Sequence, residues 1–304
     1  VTWVREIETG ELAAFVEVSR AAARNADTVE DLVDWKRQAP QTVWLLADDA
    51  DGRAVGAGRL TPGWHSPPEV SLADVRVAPE ARGRGVGSAL LAELQRRSEA
   101  LGRPALEGEV QDDDLPSLAW TARRGFREVG RTERLQLRLA DVAAEPVVDP
   151  PAGITIVTWA ERPELARGIY EVACEAYPDE PGSTEDEVEP FETWLAQDMQ
   201  GVGDRPEAVF VALADDEVVG YAKLAISSAR PGVVLHDMTG VKRAWRGRGI
   251  AAALKRAEIA WAKRTGVEVL ETVNHEHNAP IRHLNERHGY RRSTGSVTVR
   301  RDRG

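Results

Sequence analysis

Cysteine is almost missing from this chain. Cys174 is the only one in 304 residues, so no intramolecular disulfide can form, and in its helical surroundings it reads as a small buried hydrophobe. Long apolar runs are missing as well. No stretch approaches the roughly 18 residues that a membrane span needs, and the opening Val1-Thr-Trp-Val-Arg-Glu lacks the basic-then-apolar pattern of a secretory signal. These absences predict a protein of the reducing cytoplasm. Basic excess is also lacking. Lys and Arg number 39 against 50 Asp and Glu, a net charge of −11, which argues against a nucleic-acid backbone as partner. The alternation in Ser296-Val-Thr-Val-Arg300 fits a last strand with exposed arginines better than a nucleic-acid surface. Of the six histidines, His275 and His277 invite a metal reading, but no third ligand stands at suitable spacing, so no metal is expected.

What the chain does have, it has twice. Val77-Ala-Pro-Glu-Ala-Arg82-Gly-Arg-Gly85-Val-Gly87-Ser88 in the first half answers Val241-Lys-Arg-Ala-Trp-Arg246-Gly-Arg-Gly249-Ile250-Ala251-Ala in the second, a step of 164 residues. The same step carries Val55-Gly56 to Val219-Gly220, Glu107 to Glu271, and Gly125-Phe126 to Gly289-Tyr290. The register predicts a gapless internal duplication from Asp51 to Phe126. Each half reads as helices, two strands (Thr42–Asp48 and Ala54–Leu60; Ala208–Ala214 and Val218–Ile226), a third strand (Glu69–Val77; Val233–Val241), the repeated loop, a long helix (Gly85–Leu101; Gly249–Arg264), a strand (Ala105–Val110; Val267–Val273), a short helix and closing strands. The proline-rich stretch 141–153 separates a domain over 1–140 from one over 154–304. The fold class is α/β: two tandem domains, each a mixed twisted sheet flanked by helices.

The repeated loop stands between a strand and a long helix. Its glycines let the main chain approach a ligand, and the unpaired N–H groups of the helix start converge on one point. An anion such as a diphosphate suits that point, with the helix dipole in support. Arg82 and Arg84, or Arg246 and Arg248, can add charge-assisted contacts. No Gly-Lys-Ser/Thr closes the loop as in a P-loop, and no acidic residue follows at the distance of a dinucleotide-binding fold.

The Arg-x-x-Gly-x-Gly/Ala spacing, Arg82 to Gly87 and Arg246 to Ala251, resembles the acyl-CoA pyrophosphate loop of the GNAT superfamily of N-acetyltransferases, and the element order of each half is similar to that family's. The resemblance implies an acetyl-CoA cofactor bound along a splay between two parallel strands. Its pantetheine arm would lie near Val75 and Val77, or Thr239 and Val241, and its pyrophosphate on Arg82, Gly83, Arg84, Gly85, Val86, Gly87 and Ser88, or on Arg246, Gly247, Arg248, Gly249, Ile250 and Ala251. It also implies a base that takes a proton from an acceptor amine. The family often carries a tyrosine acid four residues before the last Gly-aromatic pair; Thr121 and Asn285 stand there instead.

The second half is the better equipped. Asn274, Asn278 and Asn285 surround its cofactor helix as possible amide partners, whereas Asp112, Asp113 and Asp114 crowd the first half with charge that repels an anionic cofactor. Asp237, His236 and Glu271 are the candidate bases, with Asp74 the first half's equivalent. Tyr170, Tyr177, Phe191 and Trp194, beside an acidic run from Asp179 to Glu189, are the expected acceptor opening. The expected partner is a small-molecule amine, with the protein a monomer or homodimer and neither nucleic acid nor membrane involved. A non-catalytic acyl-CoA-binding module and a protein-modifying acetyltransferase are the competing readings.

Overall fold

The computed structural model describes residues 3–22, 27–62, 67–179, 188–226 and 229–302. In chain order the elements are β1 (Trp3–Glu6), α1 (Leu12–Ala22), α2 (Val29–Gln38), β2 (Val43–Asp48), β3 (Ala54–Pro62), β4 (Val70–Val77), α3 (Val86–Ala100), β5 (Ala105–Gln111), α4 (Leu115–Ala122), β6 (Arg127–Arg138), β7 (Ile154–Thr158), α5 (Ala166–Ala176), α6 (Phe191–Asp198), β8 (Asp204–Ala214), β9 (Glu217–Ile226), β10 (Val233–Val241), α7 (Ile250–Arg264), β11 (Val269–His275), α8 (Ala279–Arg287) and β12 (Arg291–Arg301). The helix expected over Ser183–Gln200 begins outside the described residues; α6 is its described part.

Contacts divide the chain into two compact units, Val1–Gly130 with Ser296–Gly304, and Arg131–Gly295. This division differs from a boundary in the proline-rich stretch, because the closing strands are exchanged. In unit 1 the order β1-β2-β3-β4-β5 is completed by Ser296–Arg301 of β12, which pairs antiparallel with β5. In unit 2 the order β7-β8-β9-β10-β11 is completed by Thr132–Arg138 of β6, antiparallel to β11. The duplication makes the free edges of β5 and β11 alike, so local sequence does not specify which closing strand each receives.

Both faces of each sheet are covered, which explains the near-continuous apolar strands. In unit 2, Phe210 and Ala212 point to a core built on α7, whereas Val209, Val211 and Leu213 point to one built on α5 and α6. In unit 1, Leu45 and Ala47 pack toward α3, and Trp44 and Leu46 toward α1 and α2. Gly56 shows why the repeat keeps a glycine here. A Cβ on it would lie 2.6 Å from Val86 Cγ1, and one on its counterpart Gly220 would lie 3.0 Å from the Gly240 carbonyl.

The gapless register does not survive in three dimensions. On β4 the partners of Leu60 and Gly56 are Ala73 and Val77. On β10 the partners of Leu224 and Gly220 are His236 and Val241, with a register shift between His236 and Met238. The second half therefore holds one extra residue, Asp237, in a β-bulge, offset by one residue fewer between Ile226 and Val233 than between Pro62 and Val70. Bulges bend a strand and re-aim side chains, often beside active sites. Unit 1's β4 runs against β3 without such a shift.

Candidate active site

In each unit two parallel strands part company. Pairing of β4 with β5 runs from Val70 to Leu72, and that of β10 with β11 from Val233 to His236, although the strands continue to Val77 and Val241. Beyond those points the strands splay, as expected, and the repeated loop closes the end of each splay.

The two loops have nearly the same backbone. Gly83 and Gly247 sit at φ 74 and 76, Gly85 and Gly249 at 88 and 87. These left-handed turns strongly favour glycine. Gly85 and Gly249 are the N-cap residues of α3 and α7, and neither helix start carries a side-chain cap. Val86, Gly87 and Ser88, and Ile250 and Ala251, thus open helices whose first N–H groups are left for another acceptor. That arrangement fits a diphosphate.

The loop arginines act differently from expectation. Arg82 Nε donates to the Val77 carbonyl at 3.2 Å, and Arg246 Nε to the Val241 carbonyl at 2.9 Å. Both fold back to brace the turn on the strand before it. Arg246 and Arg243 also hold Asp179, at 2.7 and 2.8 Å. The Arg243 and Arg246 hydrogen bonds keep that carboxyl well below the usual aspartate range. Arg248 lies over the Trp245 ring and donates to the Ala244 carbonyl; Arg84 is exposed. Of the rest of the acidic run, residues 180–187 lie outside the described residues, and the Glu189 carbonyl accepts from the Tyr170 hydroxyl at 2.9 Å.

Of the three candidate bases, only Asp237 is exposed. Its side chain is 40% exposed, and its Oδ2 lies 2.8 Å from Lys223 Nζ. Lys223, on β9, is buried and also bonds Asp204 Oδ1 at 2.9 Å and the Asp198 carbonyl. Burial opposes the charge on Lys223, but Asp237 and Asp204 outweigh it and raise its pKa. The Tyr177 hydroxyl stands 3.3 Å from that of Tyr221 and 3.5 Å from Asp198, both phenols kept protonated by burial. Sequence reasoning missed Lys223 and Tyr221; the available signal was a lysine and a tyrosine inside the apolar strand Tyr221-Ala-Lys-Leu-Ala. Trp194 is core, stacked with Tyr170 and Phe191.

His236 and Glu271 are corrected as bases. His236 turns to the opposite face of β10 and is buried against α7, where its Nε2 meets the Tyr290 hydroxyl. Glu271 is buried and fully engaged: burial raises its pKa, yet Arg230, Gln136 and Arg134 together hold it below the ordinary glutamate value. A carboxylate tied to three donors is a poor proton acceptor. The asparagines divide. Asn278 caps α8 by accepting from Ile281 N. Asn285, fully buried, donates to Asn274 Oδ1 at 3.5 Å, while Asn274 Nδ2 and Asn285 Oδ1 have no protein partner among the described residues. Asp114 likewise caps α4. Thr121 bonds back to Leu118, so neither Thr121 nor Asn285 replaces a tyrosine acid. Val75 and Val77 pack into unit 1's core, and Val241 into unit 2's; Thr239 follows the bulge.

Unit 1 pairs its own strand acid differently: Asp74 of β4, the first half's expected base, lies 3.8 Å from Arg59, which stands where unit 2 has Lys223, and accepts from Arg76 Nε at 2.9 Å. Arg124 of the α4 end stacks on Trp120, 4.0 Å from the ring centre, and donates to Ser88 Oγ of α3 at 2.7 Å.

His236 also sets an acid limit on stability. Burial, outweighing the nearby Glu258 carboxylate, pushes its pKa below 6.5, with Lys255 and His288 acting in the same direction. The unfolded chain takes up this proton near pH 6.5 while the folded chain refuses it. The stabilising contribution is therefore complete above that pH and is lost as pH falls below it. The melting temperature should drop more steeply between pH 7 and 5 in the wild type than in H236A; equal slopes would contradict this assignment.

The paired splays and helix-start turns define a class. Residues 4–126 and 166–290 each match the Acetyltransferase (GNAT) family, and the chain belongs to that family of N-acetyltransferases. It is 27% identical to the mycothiol acetyltransferase of Nocardia farcinica (strain IFM 10152) over 279 residues, 88% of this chain and 86% of that protein. A shorter match, 40% over 105 residues, covers 34% of this chain and 50% of the L-2,4-diaminobutyric acid acetyltransferase of the same organism. Among solved structures, a tandem GNAT protein from the clavulanic acid biosynthesis pathway superposes with TM-score 0.81 at 22% identity, over 100% of this chain and 99% of that one. A GCN5-related N-acetyltransferase from Sphaerobacter thermophilus gives 0.76 at 21%, over 99% and 95%. These two establish the tandem fold. No helix among the described residues is long and apolar enough to cross a membrane.

Proposed function

We propose that this chain transfers the acetyl group of acetyl-CoA to a primary amine of a small molecule, and that unit 2 carries the reaction. The observation that bears most weight is the bulge. It adds Asp237 to the very strand that borders the splay, and it exists in only one of the two copies. Acetyl-CoA supplies an activated acetyl thioester. The N–H groups at the start of α7, from Gly249 through Ala251, would hold its diphosphate. Thr239 and Val241 would offer main-chain groups to its arm. Asp237 accepts the proton of the arriving ammonium, directly or through water, so that a neutral amine is available for attack. Lys223 keeps Asp237 in place. Asp237, exposed beside Lys223, offers that face a carboxylate that a cationic acceptor can meet. Acetyl-CoA is a cytoplasmic metabolite, so the reading places the reaction there.

A thiol-release assay with acetyl-CoA and an amine panel tests this. The panel comprises L-2,4-diaminobutyrate, an amino sugar, a polyamine and a lysine peptide. Turnover with one of the small amines is the expected result. Binding of acetyl-CoA with no turnover would make the chain a binding module, and turnover with the peptide alone would make it a protein-modifying enzyme.

A further inference from the structure

Behind β10, on the face away from Asp237, unit 2 holds a polar cluster that unit 1 does without. The Tyr290 hydroxyl meets His236 Nε2, and Glu258 Oε2 lies 3.0 Å from His236 Nδ1 and 3.3 Å from Lys255 Nζ. Neither Glu258 contact has hydrogen-bond alignment, and only the one with Lys255 pairs opposite charges when the imidazole is neutral. All four residues are buried, Lys255 to 1% and Glu258 to 0%. By strand and helix register the same positions in unit 1 are Ala73, Leu91, Leu94 and Phe126, all packed into one apolar core. This fold therefore closes at these positions without any charge. Buried ions are often replaced by apolar residues at no loss of stability, so a stability role does not explain why unit 2 carries them.

Position offers an explanation. The cluster ties β10, which borders the splay, through His236 to α7 through Lys255 and Glu258 and to the segment after α8 through Tyr290. His236 is the residue immediately before the extra Asp237. Burial favours the neutral imidazole, which accepts from the Tyr290 hydroxyl at Nε2 and turns its Nδ1–H toward Glu258. We infer that His236, clasped between Tyr290 and Glu258, is a positioning residue that anchors β10 at its bulge and so fixes Asp237 and the main-chain amides beyond it. It touches no reactant and acts through the strand. The inference rests on the reading of unit 2 as the acetyl-CoA site.

Two variants test it. Y290F removes one hydroxyl, and H236A/K255L/E258L/Y290F installs the unit 1 set. Each is measured for melting temperature, for calorimetric affinity toward acetyl-CoA, and for the infrared carbonyl band of bound acetyl-CoA labelled with carbon-13 at the thioester carbon. Wild type should bind with the band displaced from its position in buffer. Both variants should keep the melting temperature at neutral pH and bind within about twofold, while the band moves back toward its buffer position and kcat falls about tenfold or more. A folded variant with wild-type band and turnover overturns the inference, as does loss of folding in both, which would make the cluster structural. Failure of the wild type itself to bind acetyl-CoA is a different result, and it removes the functional reading together with this inference.

Discussion

G249E should abolish acetyl transfer, whereas G85E should leave most of it. Gly249 caps α7 at φ 87, in the backbone region that side chains avoid. Any side chain there strains the turn by roughly 1–2 kcal/mol. Glutamate adds a carboxylate where the helix-start N–H groups meet, the place that a diphosphate would occupy, and like charges there repel. The expected loss in kcat/KM for acetyl-CoA is on the order of a hundredfold or more, equivalent to about 2.7 kcal/mol or above. Gly85 has the same geometry, φ 88, in unit 1. Its substitution should carry the same strain and cost less than about threefold in activity, because strain alone acts on stability and not on transition-state binding. Thiol release and a melting curve on each variant separate the two effects. Equal activity losses would show that the choice of unit is wrong.

D237N should be the most damaging single change among the proposed proton-handling residues. It keeps the size and the bulge but removes the base, and general-base catalysis contributes roughly 10²–10⁴ in rate. Lys223 retains Asp204 at 2.9 Å, so the strand should stay folded. E271Q provides the contrast. Glu271 is saturated by Arg134, Arg230 and Gln136, so its loss should show in the melting temperature and change kcat little. If E271Q fell as far as D237N, the assignment of the base would have to be exchanged.

Much of this was legible from the residues. The repeated glycine turns were, because a left-handed backbone between a strand and a helix leaves few residues to choose from. The strands expected over 208–214 and 218–226 were as well, and they fall within β8 and β9. Three features were not. The exchange of closing strands depends on pairings more than 130 residues apart, such as Val297 with Val110 in unit 1 and Val269 with Arg138 in unit 2, and no local pattern encodes them. The bulge was masked because one added residue at Asp237 is offset by one removed shortly before, so the identities at Val219-Gly220 and Glu271 stayed in step. The facing of His236 followed from the bulge: without it, a strand reading cannot tell which of His236 and Asp237 turns to the cleft. Lys223 was hidden by its apolar strand, since a buried lysine shows its partners only in three dimensions.

Soaking crystals with acetyl-CoA tests the central claim most directly. The account predicts the diphosphate on the turn from Gly247 to Ala251, with the thioester between β10 and β11 and within reach of Asp237 on unit 2. Electron density for the cofactor solely on the turn from Gly83 to Ser88, or a thioester placed away from the bulge, would contradict it.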